Sequence, residues 1–392
     1  MNLLYLTHAQ YVTGGLPKVI EQVEAIANLG HSVTLVTTSK GKGFKIRRFD
    51  ENGIHYLTTP SVLWGGFRQG ADPLDALLRI LATRKSKFDV VHAIDSRPTV
   101  VLPALYIKKR RKCPLVMEWT DWYGRGGTIS ERSSKIYAST LGHAETFFEE
   151  YFRKHADRAI PISTLLEQRL LSLGYPKENI LLQRVGCDTK KFKPQSKSVC
   201  RNKLRLPDRT SILCYVGNIY SADLDLLIQS LEILHRDKSR NIMTVLVGGN
   251  HDLEPQLVKR LNILLTGRID LHQLYEYLAA ADVCLIPFKQ SLANKARWPS
   301  KFSDYVNAGC PTVATRVSDY ETLFPRHNLG FLADDDTPDS FARAIGLALG
   351  DGARLEKIGQ ACRAYAEKYL DVTYLARERI ELYEQALRTN HT

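Results

Sequence analysis

Short apolar runs alternate with helix-like segments along both halves of the chain, and this alternation strongly constrains the fold. In the first half the apolar runs are Leu3–Thr7, Val33–Thr37, Val90–Ala93 and Leu115–Glu118. In the second half they are Ile212–Val216, Thr244–Val247, Val283–Ile286 and Thr312–Ala314. Nearly continuous apolar strands separated by helices are typical of parallel sheets covered on both faces. We therefore predict an α/β chain with two tandem, doubly wound, Rossmann-like domains that face each other across a ligand cleft.

The length of 392 residues exceeds what one hydrophobic core usually fills, which also favours two domains. The stretch Lys190–Ser198 contains a proline and several lysines and is predicted to be the linker. The predicted domains are therefore 1–190 and 191–372. The remaining segment, 373–392, is predicted to be an amphipathic helix that packs back on the first domain.

Composition limits where the chain is expected to act. No apolar run approaches the roughly 20 residues needed to cross a bilayer. Met1–Leu6 lacks a basic leader and is interpreted as a first strand rather than a signal peptide. The seven cysteines are odd in number, scattered and never arranged as CxxC. This pattern indicates reduced thiols in a cytoplasmic protein, without a disulfide framework or a zinc site.

Positive charge is concentrated in the first half of the chain. Residues 1–190 carry a net charge of +9, whereas the remainder carries +3. Two basic clusters, Arg84–Lys87 and Lys108–Lys112, precede strand-like segments, where cations complement a helix C-terminus. Attraction to an anionic membrane surface or to a phosphate-bearing acceptor is the alternative. Nucleic acid is not expected as a partner, because the clusters lack interleaved aromatic residues.

The segment 298–314 has the pattern of a helix that begins at an anion. Pro299 suits the first helical position, and the free N–H groups that follow it form a ready phosphate site. Ser300 belongs to this start, Lys301 adds a mobile positive charge, and Asp304 lies one turn later, where it can accept hydroxyl hydrogen bonds. These residues suit a nucleoside diphosphate and its ribose. The alternative is a solvated helix start with a surface lysine.

Four glycine-containing junctions follow predicted strands. They are Gly14-Gly15, Gly217-Asn218, Gly248-Gly249 and Gly267-Arg268. Glycine at a strand end lets backbone N–H groups approach a phosphate closely, although a single junction of this kind is weak evidence. Asn218 can equally be a turn residue, and Arg268 either meets a base edge or faces solvent. Together, the four junctions in an α/β chain predict nucleotide binding.

The segment Glu118–Gly124 places a carboxylate, two tryptophans and a tyrosine after a strand. Aromatic faces and the Asp121 carboxylate suit a sugar, whereas a buried aromatic cluster above the sheet is the alternative. The acidic run Asp334–Asp336 is better explained as part of a helix start than as a metal site. No histidine pair has a metal-binding spacing, so no metal is expected.

With these positions identified, the chain resembles the family 4 glycosyltransferases, which have the GT-B fold. The resemblance extends over more than 300 residues and is carried by short segments in a characteristic order. These are Gly14-Gly15, Leu29–Thr37, Phe88–Ala93, Ala156–Ser163, Gly186–Asp188, Phe192–Pro194, Tyr215–Gly217, Ala280–Val283 and Ala308–Pro311. The resemblance implies retaining sugar transfer from a nucleoside-diphosphate sugar, with no metal or other cofactor.

Several positions depart from the family pattern. The family usually has an arginine and a lysine where this chain has Asn218 and about Ala222, and both clasp the donor diphosphate. Of two family glutamates spaced eight apart, the first falls on Ala296 and the second on Asp304. A frequent family histidine falls on Thr120. Lys301 and Arg297 are compensating candidates, as in a sub-pattern in which Pro-Ser-Lys replaces the usual glutamate-glycine stretch.

The leading hypothesis is a retaining glycosyltransferase in the cytoplasm, and the basic first half of the chain favours peripheral attachment to the inner face of the membrane and a lipid-linked or polysaccharide acceptor. Lys301 and Arg297 would stabilise the leaving diphosphate, and Asp304 would bind the ribose. Gly14 and Gly15 would face the phosphates from the acceptor-side domain, and Asp121 would bind the transferred sugar or the acceptor. Two alternatives stay open: a catalytically inactive glycosyltransferase-like subunit, and a related GT-B sugar phosphorylase or epimerase.

Overall fold

The computed structural model describes residues 1–11, 16–39, 45–63, 69–131, 141–237, 239–249 and 251–390. Contacts divide the chain into two compact units. Unit 1 comprises Met1–Gly186, Ala296–Trp298 and Val372–Thr392, and unit 2 comprises Cys187–Lys295 and Pro299–Asp371. The first change of unit lies a few residues before the predicted boundary at 190. The assignment of Ala296–Trp298 to unit 1 was not predicted.

The described part of unit 1 contains a seven-stranded sheet in the order β3-β4-β2-β1-β5-β6-β7. The strands are β1 (Asn2–Gln10), β2 (Ser32–Thr38), β3 (Arg47–Glu51), β4 (Ile54–Thr59), β5 (Val90–Ile94), β6 (Leu115–Trp119) and β7 (Arg158–Pro161). All neighbours are parallel except β3 and β4. Strands β5 and β6 are buried along their whole length, as expected for a sheet covered on both faces.

Helices of unit 1 follow the strands along the chain. They are α1 (Leu16–Asn28), α2 (Pro73–Thr83), α3 (Pro98–Arg111), α4 (Leu141–Tyr151), α5 (Thr164–Ser172) and α15 (Val372–Asn390), with short 3₁₀ turns at Phe152–His155 and Lys177–Asn179. Helix α2 shows why a helix begins where it does. Asp72 accepts hydrogen bonds from the N–H groups of Leu74 and Asp75, and Pro73 occupies the first turn.

A buried polar network attaches the last helix to the sheet of unit 1. Arg379 donates to the Glu118 carboxylate at 2.6 Å, and the Tyr383 hydroxyl lies 2.8 Å from His92 Nδ1. Burial alone would raise the pKa of Glu118, but Arg379 and the bond to His92 outweigh it and hold the pKa well below its usual value. Helix α15 is therefore an integral part of unit 1.

Unit 2 contains, among its described residues, a six-stranded parallel sheet in the order β10-β9-β8-β11-β12-β13. The strands are β8 (Ser211–Val216), β9 (Ile242–Val247), β10 (Ile263–Gly267), β11 (Val283–Ile286), β12 (Thr312–Ala314) and β13 (Gly330–Leu332). The helices are α6 (Lys197–Lys203), α7 (Ser221–Arg236), α8 (Pro255–Arg260), α9 (Leu271–Ala280), α10 (Leu292–Ala296), α11 (Ser300–Asn307), α12 (Tyr320–His327), α13 (Pro338–Leu349) and α14 (Gly352–Tyr365), followed by a π-helical turn at Ala366–Leu370.

Each sheet reverses its strand order at one point, between β1 and β5 in unit 1 and between β8 and β11 in unit 2. Ligands of open α/β sheets bind beyond the carboxyl ends of strands at such a point. The prediction of two doubly wound α/β domains is confirmed. The predicted linker is wrong in one respect, because Lys197 and Ser198 already belong to α6.

Candidate active site

Three strands of unit 2 end at glycines that lie side by side. The Gly217 N–H donates to the Val247 carbonyl at 2.8 Å, and the Gly248 N–H donates to the Gly267 carbonyl at 2.9 Å. These glycines have φ values of +85°, +70° and +63°, which residues with side chains rarely adopt. The structure therefore brings together three of the four predicted junctions. The fourth, at Gly14 and Gly15, lies outside the described residues.

Lys301 lies beside the first of these glycines. Its Nζ is 3.8 Å from the centre of the Tyr215 ring, bonds the Tyr215 hydroxyl, and is 3.4 Å from the Asn218 carbonyl. A Cβ on Gly217 would lie 3.9 Å from Lys301 Nζ. The structure thus places the lysine ammonium at the carboxyl end of β8. Asn218 contributes its carbonyl there, and its side chain is exposed.

Helix α11 begins at this cluster. Its first residue is Ser300, which is exposed, so Pro299 is the N-cap and not, as predicted, the first helical residue. The first N–H groups of a helix have no partner within the helix and carry a partial positive charge. Lys301 therefore adds a full charge to a helix end that already favours an anion.

Asp304 lies one turn into α11 and is buried. Its Oδ1 accepts a hydrogen bond from the Tyr275 hydroxyl at 3.0 Å, and the Asn307 amide donates to the same hydroxyl at 2.9 Å. The side chain is thus part of a buried polar network. Its predicted role toward a ribose stays a prediction, and a ribose would have to reach a carboxylate that already bonds Tyr275.

Arg268 follows the end of β10, the outermost strand on this side of the sheet. The residue is exposed, and the adjacent Gly267 carbonyl accepts the Gly248 N–H. Its location at the strand ends agrees with the sequence-based placement. Whether it meets a nucleotide base stays a prediction.

Arg297 belongs to unit 1 and pairs with Asp121. The Arg297 Nε lies 3.1 Å from Asp121 Oδ1, and the arginine side chain is only 11% exposed. Burial raises the pKa of Asp121 and outweighs the opposing effect of Arg297. The Arg297 guanidinium therefore already has an acidic partner within unit 1. Its predicted role, with Lys301, as a ligand of the donor diphosphate stays a prediction.

The aromatic segment after β6 is mostly part of the packed interior. Trp119 is 1% exposed, its ring lies 4.0 Å from the Arg153 guanidinium, and its Nε1 donates to Glu149 at 3.0 Å. Glu118 is bound by Arg379. The alternative of a buried aromatic cluster is therefore correct for Trp119. Thr120, Asp121, Trp122 and Tyr123 are partly exposed.

Asp95 is a candidate site residue that the sequence did not indicate. It follows β5 at the reversal point of the first sheet, is buried, and has a left-handed φ of +65°. Its carboxylate accepts hydrogen bonds from the Thr120 N–H, the Thr120 hydroxyl and the Tyr123 hydroxyl, at 3.0, 2.7 and 3.1 Å. His8 Nδ1, near the end of β1, lies 4.0 Å away. The available signal was its position immediately after a predicted buried strand.

A second missed residue is His251, which follows the glycines at the end of β9 and packs against Gly249. The described ranges contain no cluster of three or more potential metal-binding side chains. The acidic run Asp334–Asp336 lies just before α13, as predicted. Thr337 is the N-cap of that helix, and its N–H donates to Asp335 at 2.9 Å. Within those same ranges, no helix combines the length and apolar character that crossing a bilayer requires.

Family comparisons agree with this architecture. A model described as "Glycosyl transferase 4-like domain" matches residues 13–186, and one described as "Glycosyl transferases group 1" matches residues 210–351. A D-inositol 3-phosphate glycosyltransferase of Nocardia farcinica is 25% identical over 260 residues, which are 62% of this chain and 56% of the relative. The match therefore spans little more than half the length of that relative.

A GDP-mannose-dependent alpha-(1-6)-phosphatidylinositol monomannoside mannosyltransferase of Mycobacterium tuberculosis is 23% identical, over 79% of this chain and 85% of the relative. Among solved structures, sucrose-phosphate synthase from Thermosynechococcus elongatus superposes with a TM-score of 0.80 at 18% identity, covering 99% and 100% of the two chains. Anabaena HepE in complex with UDP and glucose gives 0.71 at 15% identity, covering 97% and 98%. The two family models and the shared architecture show that this chain belongs to the family 4 glycosyltransferases and has the GT-B fold.

Proposed function

We propose that this chain is a retaining glycosyltransferase that moves a sugar from a nucleoside-diphosphate sugar to a lipid-linked or glycan acceptor. The observation that carries the proposal is the position of Lys301 beside the glycine ends of β8 and β9, at the start of α11. The relatives support the donor class, because one is named as GDP-mannose-dependent and one neighbour was solved with UDP and glucose.

On the donor side of the proposed reaction, the protein stabilises negative charge. When the bond between the sugar C1 and the phosphate oxygen breaks, negative charge develops on the leaving diphosphate. A preorganised cation and backbone N–H groups stabilise such charge without reorganisation. Lys301 and the start of α11, including Ser300, fit this role in unit 2. Gly217 and Gly248 let the phosphates approach the backbone closely.

The acceptor side is proposed to lie in unit 1, at the carboxyl ends of β5 and β6. Asp121 and the buried Asp95 are the carboxylates there. In front-face retaining chemistry the acceptor oxygen bonds to C1 on the side from which the diphosphate departs. The acceptor's proton passes to the leaving phosphate oxygen. No protein base or metal is then required, and we propose metal-independent transfer.

The acceptor and location are proposed from the surface of unit 1. Arg110 and Arg111 both donate to the Arg84 carbonyl, at 3.3 and 2.7 Å, so the two basic clusters adjoin. Lys108 donates to the His155 carbonyl at 2.8 Å, and His155 contacts the exposed Tyr151, whose ring stacks on the exposed Phe147. Exposed cations beside exposed aromatic rings suit an anionic membrane surface. We therefore propose peripheral attachment that brings the enzyme to a lipid-linked acceptor.

A catalytically inactive subunit is the second candidate, and particular observations favour it. Asn218 and Ala296 stand where the resemblance implies charged residues, and Ala296 is fully buried with its carbonyl accepting from Ser163. Release of nucleoside diphosphate from UDP-, GDP- and ADP-sugars, measured in EDTA, separates the candidates. Slow release from one donor class supports the enzyme, whereas donor binding without release supports the inactive subunit.

A further inference from the structure

His251 is held against the glycine ends of unit 2. A Cβ built on Gly249 would lie 2.7 Å from His251 Nε2 and 2.9 Å from the Gly217 carbonyl oxygen. The imidazole therefore occupies the space that a side chain at 249 would need. Lys301 also lies close to Gly217, since a Cβ there would be 3.9 Å from its Nζ. The histidine and the lysine are thus both near the glycine ends of β8 and β9.

One ring nitrogen of His251 has no partner. Nε2 is buried without a hydrogen-bond partner, and the Gly248 backbone adjoins the ring. A buried nitrogen without a partner is costly, and a ligand atom would remove that cost.

The protonation of the His251 imidazole should depend on whether an anion is bound beside Lys301. Burial lowers the pKa of His251, and the positive charge of Lys301 lowers it further, while the Gly248 backbone opposes them. Tyr215 of β8 also faces the imidazole, and the two rings meet edge-on with their centres 6.5 Å apart. The ring is therefore biased toward the neutral form in the free protein. An anion beside Lys301 would reverse that bias.

We propose that His251 is the second cationic ligand of the donor diphosphate, taking up a proton as the diphosphate binds and donating Nε2–H to a phosphate oxygen. This inference rests on the proposed function, because it concerns the same diphosphate site. A diphosphate carries more negative charge than Lys301 alone neutralises. The proton comes from solvent, and no covalent bond of the ligand changes.

The pH dependence of diphosphate binding follows from the pKa of His251 in the free and in the diphosphate-bound protein. The pKa of His251 is lowered in the free protein, and a bound diphosphate raises it. Binding is therefore strengthened below the pKa of the bound state and loses this contribution as the pH rises through it. Each unit by which the diphosphate raises the pKa corresponds to about tenfold in affinity. Wild-type affinity should thus rise about tenfold more than that of His251→Asn between about pH 8 and pH 6.

Titration calorimetry with inorganic pyrophosphate and with UDP, GDP and ADP tests the proposal in buffers of different ionisation enthalpy. Wild-type protein should take up protons on binding at pH 7.5, and His251→Asn should take up fewer. His272→Asn, at an exposed histidine of the same unit, is the matched control and should behave like wild type. Equal proton uptake by wild type and His251→Asn, or no binding of pyrophosphate or any nucleotide, would overturn the inference.

A measurement on the wild-type chain covers the case in which His251→Asn does not fold. The NMR signal of the His251 ring, titrated with and without pyrophosphate, should show a raised pKa in its presence, and an unchanged pKa contradicts the inference.

Different results would contradict the inference about His251 and the proposed function. If pyrophosphate shifts His251 but no nucleotide binds more tightly than pyrophosphate, the inference stands and the nucleotide-sugar donor is wrong. If a nucleotide binds without affecting His251, the donor stands and the inference is wrong.

Discussion

The ammonium of Lys301 lies 3.8 Å from the centre of the Tyr215 ring and also bonds the hydroxyl of that tyrosine. Tyr215 is almost fully buried, and its own hydroxyl donates to the Asn218 carbonyl at 2.8 Å. The lysine is therefore positioned by a rigid partner at the end of β8. A cation held in place in this way loses less conformational entropy when an anion binds.

Replacing Tyr215 with leucine tests this positioning. Loss of a cation–π contact worth about 0.5–2 kcal/mol should weaken binding of a nucleoside diphosphate by about twofold to thirtyfold. Tyr215→Phe keeps the ring and should lose less. The affinities are measured by calorimetry after circular dichroism has shown that both variants fold. Equal affinities for Tyr215→Leu and wild type would show that the ring does not position the lysine.

Gly249→Ala should damage the same site through the backbone. The new Cβ would lie 2.9 Å from the Gly217 carbonyl oxygen, and the φ of +71° is unfavourable for alanine. We expect at least about a tenfold loss of diphosphate affinity, equivalent to roughly 1.4 kcal/mol. Gly352→Ala is the matched control, because a Cβ there meets nothing within 4 Å. Unchanged binding by Gly249→Ala would show that this glycine end lies away from the ligand.

Arg379→Met is expected to destabilise unit 1 by about 3–5 kcal/mol, because it leaves the Glu118 carboxylate buried without its partner. Trp119, Trp122 and Trp298 belong to unit 1, and the sequence of unit 2 contains no tryptophan, so tryptophan fluorescence during urea unfolding reports on unit 1. Arg377→Met, at an exposed position of the same helix, is the control. Similar unfolding midpoints for the two variants would contradict the account.

The pair formed by Glu118 and Arg379 also predicts how the stability of the protein depends on pH. The pKa of Glu118 is lowered in the folded state, so its contribution to stability is complete above the unfolded pKa, about 4.3, and is lost as the pH falls toward the folded pKa. The wild-type protein should therefore lose stability in acid more steeply than Glu118→Gln. Parallel acid profiles for the two proteins would show that the carboxylate does not carry this dependence.

Membrane attachment is tested by charge reversal at one exposed lysine of each basic cluster, Lys85→Glu with Lys109→Glu. At about 1 kcal/mol for each cation near an anionic surface, losing two should lower partitioning onto anionic vesicles by about thirtyfold or more. Lys357→Glu, at an exposed lysine of unit 2, should have little effect. If neither the charge reversal nor added salt changes partitioning onto anionic vesicles, this surface is not the attachment site.

The apolar runs predicted the parallel strands β1, β2, β5, β6, β8, β9, β11 and β12, because the buried part of each strand is a short apolar segment. The parallel strands β4, β7 and β13 were not among the predicted runs. The antiparallel pair β3 and β4 was missed, since Arg47–Glu51 is a charged and mostly exposed edge strand without an apolar run. The linker was misjudged because proline and lysine mark a helix start as readily as a flexible segment, and α6 begins at Lys197.

Residue roles were harder to predict than strands, because they depend on partners that are distant in sequence. Arg297 pairs with Asp121, which is 176 positions away in the sequence. Glu118 pairs with Arg379, which is 261 positions away. Asp95 and His251 have no motif of their own. What distinguishes them is backbone conformation and burial, which only the folded chain shows.

The most direct test of the central claim is nucleotide binding in EDTA by wild type, Lys301→Ala and the control Lys357→Ala. We predict that one class among UDP, GDP and ADP binds wild type and the control alike. Lys301→Ala should bind it at least about tenfold more weakly, the scale of one charged hydrogen bond. Equal binding by Lys301→Ala, or no binding of any nucleotide by the wild-type chain, would contradict the claim that the start of α11 holds the donor diphosphate.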